Sequence, residues 1–178
     1  MSGHADRYRK VAAALTRTVH GVGDWDAPTP CEGWRARDVV AHLCEWVPAY
    51  FAGTWDLATP EVTGDPVADW YALNAFLQGG LDDPEVAGRV RETRFGPATF
   101  ESQVDQTVTN DVLVHTWDLA RATGQDEALD RDEVRTMLAG IEPMIDALVA
   151  SGHYGPPVPV AEGADEQTRL LGLLGRRA

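Results

Sequence analysis

From Thr99 to Thr123 the chain runs for 25 residues without glycine or proline, and Gly124 follows as a stop. Such a stretch predicts one long helix ending at a glycine C-cap. At about 100° per residue, Phe100, Val104, Val108, Val112, Leu119 and Ala122 fall within an arc of about 120°. Asp111 and His115 lie inside that same apolar arc, four residues apart, so their side chains meet on one face. A carboxylate in a core stripe is costly unless it is paired or bound to a metal. This helix therefore restricts the fold to one that can cover an apolar face and satisfy a buried Asp.

The rest of the chain supplies helices to do so. Residues 5–20 predict a first helix. The breaker-rich stretch 21–33 predicts a loop. Residues 34–51 predict a second helix, with apolar positions at 39, 40, 43, 46, 47, 50 and 51. Asp65 reads as the N-cap of a third helix, with Pro66 at its first position and Gly79-Gly80 as its end. Residues 84–97 read as irregular, with a short extended piece around 89–95. A helix is expected over 130–150, where Pro143 predicts a kink or break, then a loop over 151–163 and a short closing helix over 165–174. At least four helices are long enough to bundle, so the expected fold class is all-α, a four-helix bundle in one domain spanning 1–178.

With 15 Lys+Arg against 28 Asp+Glu the net charge is −13. That disfavours a phosphate backbone as partner, and no basic stripe appears. No apolar run approaches the roughly 18 residues that span a bilayer, and the first residues lack the apolar core of a signal peptide. The expectation is a cytoplasmic protein that binds neither nucleic acid nor membrane. Cys31 and Cys44 are too few for a disulfide framework and read as free thiols. Fourteen Arg against one Lys, with 24 Ala, suggest a GC-rich bacterial genome.

For Asp111 and His115 two readings stand. One is a structural Asp–His hydrogen bond, or an Asp paired with an Arg of another helix. The other is a metal site, for which His42, at the edge of the second helix's stripe, is the third ligand. Two His and one carboxylate leave positions open for water or substrate, the ligand count of a catalytic zinc site, and they also suit Fe, Ni or Mn. Glu45 reads either as a solvated helix charge or as an acceptor for the second ring N–H of His42. Asp118 reads either as support for the site or as a partner of Arg121. Cys44 points about 160° away from His42 on the helix. Trp34, Trp46 and Trp117 read as packing anchors or pocket walls. His4, His20 and His153 read as solvated.

Thr29-Pro30-Cys31-Glu32-Gly33-Trp34, followed by Arg37-Asp38-Val39-Val40-Ala41-His42-Leu43, resembles the second-helix signature of the DinB-like superfamily. The nearest branch holds the N-terminal domain of mycothiol-dependent maleylpyruvate isomerases. Residues 111–124, the run Pro156–Val160 and the run Leu170–Arg176 are similar to that branch as well. The resemblance implies a DinB-like four-helix bundle with a short additional C-terminal helix and a divalent metal, first of all zinc, on His42, Asp111 and His115. It further implies a low-molecular-weight thiol as cosubstrate, which in an actinobacterium would be mycothiol, and a small electrophile as second substrate. Two departures stand out. Residues 1–178 are expected to hold one domain and not the isomerase's extra C-terminal one, so the isomerase's own reaction is not expected here, and Arg35 takes the place of a Ser or Thr N-cap. The expected functions are a metal-dependent thiol transferase or isomerase-like enzyme, or a non-catalytic metal or small-molecule binder of the same fold. A homodimer is a candidate assembly.

Overall fold

The computed structural model describes residues 3–93, 96–150 and 155–178. The expected extended piece around 89–95 thus ends outside them, and so does His153. Four long helices form the bundle: α1 (Gly3–His20), α2 (Ala36–Trp55), α3 (Pro66–Asp82) and, further along, α6 (Asn110–Thr123). α1 packs on α3 and α6, and α2 packs on the same two, so the four close into a ring. The stripes meet inside it. Leu15 of α1, Leu43 and Phe51 of α2, Leu73 and Leu77 of α3, and Val112 and Leu119 of α6 are fully buried or nearly so. All-α is therefore the fold class.

The helix ends follow local chemistry. Asp65 accepts from the Val67 and Ala68 N–H groups and caps α3, with Pro66 at its first position. Arg35 offers no capping oxygen, but the Asp38 carboxylate accepts its backbone N–H at 2.7 Å. That is one half of a capping box, and it makes up for the missing Ser or Thr. α2 runs four residues past the expected Phe51, through Pro48, and stops where Asp56 turns left-handed (φ 57°).

Gly79-Gly80 does not end α3, contrary to the sequence expectation. The helix continues to Asp82, and Gly80 instead sits beneath the Phe100 ring, where a Cβ would lie 2.6 Å from Cζ. Glycine here permits a close approach. Gly80→Ala is expected to destabilise the protein by about 1–3 kcal/mol through overpacking against a fully buried ring. The midpoint of a urea unfolding curve reads this directly.

After the short helix α4 (Pro84–Ala87), strands β1 (Val90–Thr93) and β2 (Gly96–Thr99) pair antiparallel, with Val90 opposite Thr99. Trp55 Nε1 donates to the Arg89 carbonyl at 2.9 Å, tying this hairpin to the end of α2.

The long helix predicted over 99–123 is not uniform. α5 (Phe100–Gln103) leads into a π-helical segment, Val104–Thr109, before α6 begins. The Thr107 hydroxyl donates to the Gln103 carbonyl and the Thr109 hydroxyl to that of Val104. These threonines give the carbonyls partners other than the regular ladder. Arg7 of α1 grips the same segment, donating to Asp105 and Asn110 at 2.8 Å each while its Nε meets Glu133. Residues 112–120 are then buried on every face, so α6 is the central helix. It ends at Gly124 in the left-handed region (φ 67°), as the sequence predicts.

Outside the ring, α7 (Arg131–Ile141) packs on α9 (Glu166–Leu173). Pro143 interrupts the helix expected over 130–150, leaving a 3-10 turn at Glu142–Met144 and then α8 (Ile145–Ala150). Among the described residues, no helix is long and apolar enough to cross a membrane.

Candidate metal centre

The stretch before α2 is a built loop. Thr29 N–H donates to the Trp34 carbonyl, Trp34 N–H to that of Cys31, and Ala36 N–H to that of Ala27, all within 2.9–3.0 Å. Gly33 turns at φ 79°, a left-handed conformation that glycine adopts without strain. The run Thr29–Trp34 thereby sets Trp34 against the His42 and His115 rings and leaves Cys31 beside Asp118 of α6.

Under that loop His42 of α2 meets Asp111 and His115 of α6. His42 Nε2 lies 3.4 Å from Asp111 Oδ2, and His115 Nε2 lies 3.4 Å from Asp111 Oδ1. One ligand atom from each of the three falls within 4.8 Å of the others. Two ligands bound at about 2.0–2.1 Å in a tetrahedron stand about 3.3–3.4 Å apart. A direct charge-assisted hydrogen bond would be shorter, about 2.7–2.9 Å. The spacing thus suits three ligands around a cation better than a locked ion pair. Side-chain exposure falls from 34% at His42 through 20% at Asp111 to 5% at His115, so the cluster opens toward solvent on the His42 side.

The neighbours fix these groups. Trp46 Nε1 donates to Asp111 Oδ2 at 2.9 Å, so this tryptophan orients the carboxylate as well as packing. Trp34 stacks on His115 (centroids 5.8 Å, planes 20° apart) and lies 5.0 Å from the His42 ring. Asp118 is fully buried and accepts from His115 Nδ1 at 2.9 Å. Arg176 also donates to it, through Nη2 at 2.8 Å and Nε at 3.2 Å, as does the Cys31 thiol at 3.5 Å. The alternative pairing with Arg121 does not occur, since Arg121 bonds Glu127 instead. Glu45 is exposed, and no hydrogen bond joins it to His42 among the described residues. The reason is orientation: the His42 ring turns inward to α6, away from the solvent face that carries Glu45.

The electrostatics follow from this packing. Burial alone would raise the Asp111 carboxyl, but the charges of His115 and His42 and the Trp46 indole outweigh it and hold it below its ordinary 3.8. Burial likewise lowers His115, yet Asp111 and Asp118 on either side leave it raised above 6.5. Asp118, despite burial, is held down to about 2 by His115 and Arg176.

Cys31, His115 and Asp118 also converge within 4.8 Å. The Arg176 guanidinium already stands there, 3.5 Å from the Cys31 sulfur. Burial and the Asp118 charge push that thiol up to about 11. A thiol ligand must lose its proton, so this second cluster is a poor cation site. Cys44 faces a separate groove with Val62, Pro66 and Asp69. Both cysteines are free. His4 pairs with Asp105 at 2.9 Å, and His20 meets the Tyr71 hydroxyl. Sequence reasoning missed Arg176; its only signal was the Arg176-Arg177 pair that follows the Leu-rich run 170–174.

Residues 8–89 match the family described as the mycothiol maleylpyruvate isomerase N-terminal domain. The chain is also 30% identical over 162 residues to uncharacterized proteins MT0763 and Rv0738, each from a strain of Mycobacterium tuberculosis; the alignment covers 88% of this chain and 83% of either relative. The chain belongs to this family. No solved structure matches it. In this member of the mycothiol maleylpyruvate isomerase N-terminal family, the span matched to the family includes Trp34, His42 and Trp46, whereas Asp111, His115 and Arg176 lie beyond it.

Proposed function

We propose that His42, Asp111 and His115 hold one divalent cation, zinc first among them, and that the protein uses it in thiol transfer or a related isomerisation of a small electrophile. The observation that carries this reading is the pair of imidazole Nε2 atoms, each 3.4 Å from a different oxygen of one half-buried carboxylate. The donor set, two neutral nitrogens and one oxygen, fits zinc and leaves a coordination position for substrate. A bound cation of this kind lowers the pKa of a thiol at its open face, making a thiolate available at neutral pH.

The chain's own residues prepare that face. Asp118 accepts the Nδ1–H of His115 and so leaves its Nε2 free to ligate. Trp46 holds Asp111 in place, and Trp34 stacks on the buried His115 and flanks the His42 ring, which stays open to solvent. The more exposed His42 side is the entry for substrate. There the thiol would give its proton to solvent and its sulfur would bond to an electrophilic carbon, as the bond from that carbon to its leaving group breaks and the group departs with the electron pair; in the isomerisation the carbon is part of a double bond, whose electron pair shifts away and returns when the thiol is expelled. The family's description supports a thiol of the mycothiol kind as partner. Two free cysteines, one beside the site, fit a reducing cytoplasm.

Metal-loaded protein incubated with mycothiol and a panel of electrophiles is expected to form conjugate, or isomerised product, above the metal-free control. No product with any electrophile contradicts the enzyme reading and leaves a binder. Acid provides a second check. Protons compete with the cation for its ligands, and His115 is raised above its ordinary 6.5 in the metal-free protein. Bound metal is therefore expected to be retained at alkaline pH and released as acid protonates the ligands, with His115, raised above its ordinary value, competing early in that fall. Equilibrium dialysis at falling pH measures it.

A further inference from the structure

Arg176 lies beyond α9, outside every helix of the bundle, yet its side chain is only 12% exposed. Its Nη2 and Nε hold both oxygens of Asp118, and Nη1 donates to the Leu174 carbonyl at 2.9 Å. Nη2 also reaches Cys31 on the loop that carries Trp34. A guanidinium withdrawn this far from water needs a charged partner of matching geometry, and it has one in the fully buried Asp118. The same carboxylate accepts His115 Nδ1 at 2.9 Å, and His115 Nε2 faces Asp111. One unbroken line of contacts therefore runs from residues 174–178 to the metal-facing nitrogen of His115.

The segment has its own means of docking. Leu174 is buried, and the Arg176 N–H donates to the Leu171 carbonyl at 2.8 Å, folding the segment back onto the end of α9. What the guanidinium adds is the aim of Asp118. A planar fork that spans two oxygens fixes the plane of the carboxylate, which an ammonium, binding as a point charge, does less well. The partner on one ring nitrogen of a histidine sets the direction of the other.

We propose that Arg176 is a positioning residue of the metal centre, acting through Asp118 on His115, so that docking of residues 174–178 and metal binding strengthen one another. This rests on the reading that His42, Asp111 and His115 bind the cation. Because such coupling is reciprocal, metal must tighten the segment by the same factor by which the docked segment tightens metal.

The test titrates Co2+ into the full-length wild type, Arg176→Ala, Arg176→Lys and Arg177→Ala, the last at an exposed neighbour. Arg176→Ala is expected to weaken binding by about 10–100-fold and to alter the visible Co2+ spectrum, with Lys recovering part of the affinity and Arg177→Ala matching wild type. A purely structural Arg176 would lower thermal stability and leave affinity and spectrum alone, which overturns the proposal. Should Arg176→Ala fail to fold, hydrogen exchange of wild type decides: Co2+ is expected to slow exchange at residues 174–178, and unchanged exchange overturns the coupling. A wild type that binds no Co2+ overturns the metal reading, and this one with it. Binding that is equal in wild type and Arg176→Ala overturns the coupling alone.

Discussion

His42→Ala is expected to yield a folded protein that retains no stoichiometric metal. Its fold survives because His42 contributes no core surface: Val39, Val40, Leu43, Val47 and Phe51 carry the buried stripe of α2. Without a cation, Asp111 keeps Trp46 and His115 as partners, so the stability lost is modest, about 1–2 kcal/mol. Asp111→Ala loses the metal too and, because His115, His42 and Trp46 stabilise this carboxylate by more than its burial costs, is expected to lower the stability of the metal-free protein as well. Elemental analysis of untagged protein and thermal melts of both variants separate these effects. A His42→Ala protein with one cation per chain would contradict the shared site.

Asp118→Ala is expected to be far more damaging to the fold, by about 3–5 kcal/mol, because it strands the Arg176 guanidinium beside Cys31 without its counter-charge. Urea unfolding of the metal-free protein measures it. The same carboxylate makes a pH-dependent contribution. Its folded pKa, about 2, lies below the ordinary 3.8, so the stabilisation is present above pH 3.8 and is lost as pH falls toward 2. That contribution is about 2 kcal/mol. The steepest acid loss of stability is expected in this window in wild type and is expected to shrink in Asp118→Ala. An unchanged acid profile would show that Asp118 has no such role.

The parts of this molecule that local rules decide were legible in the sequence. The 3.6-residue spacing of α2, the Asp65-Pro66 start of α3, the Gly124 stop and the break at Pro143 all depend on neighbours within a turn or two. The candidate site was legible for the opposite reason: Asp111 and His115 violate the apolar face of their own helix, and His42 does so on the helix that packs against it. What stayed hidden depends on distant residues. Gly80 reads as a helix end until Phe100, twenty residues on, is seen above it. The π-helical turns at 104–109 look like any β-branched run until the Thr107 and Thr109 hydroxyls find their carbonyls. Asp118 and Arg176 are 58 residues apart, and no periodicity links a buried acid in one helix to a cation beyond the last. Trp46 read as packing because its ring is apolar, while its indole N–H orients the very carboxylate on which the site turns.

The claim at the centre of this account is that three side chains from two facing helices share one cation. An anomalous difference map from zinc-soaked crystals, collected on either side of the zinc absorption edge, tests it most directly. A single strong peak is expected, bounded by His42 Nε2, Asp111 and His115 Nε2, beneath Trp34, and no peak there in crystals of His42→Ala. Zinc bound at Cys31 and Asp118, or no peak among the three side chains in fully soaked wild-type crystals, would contradict it.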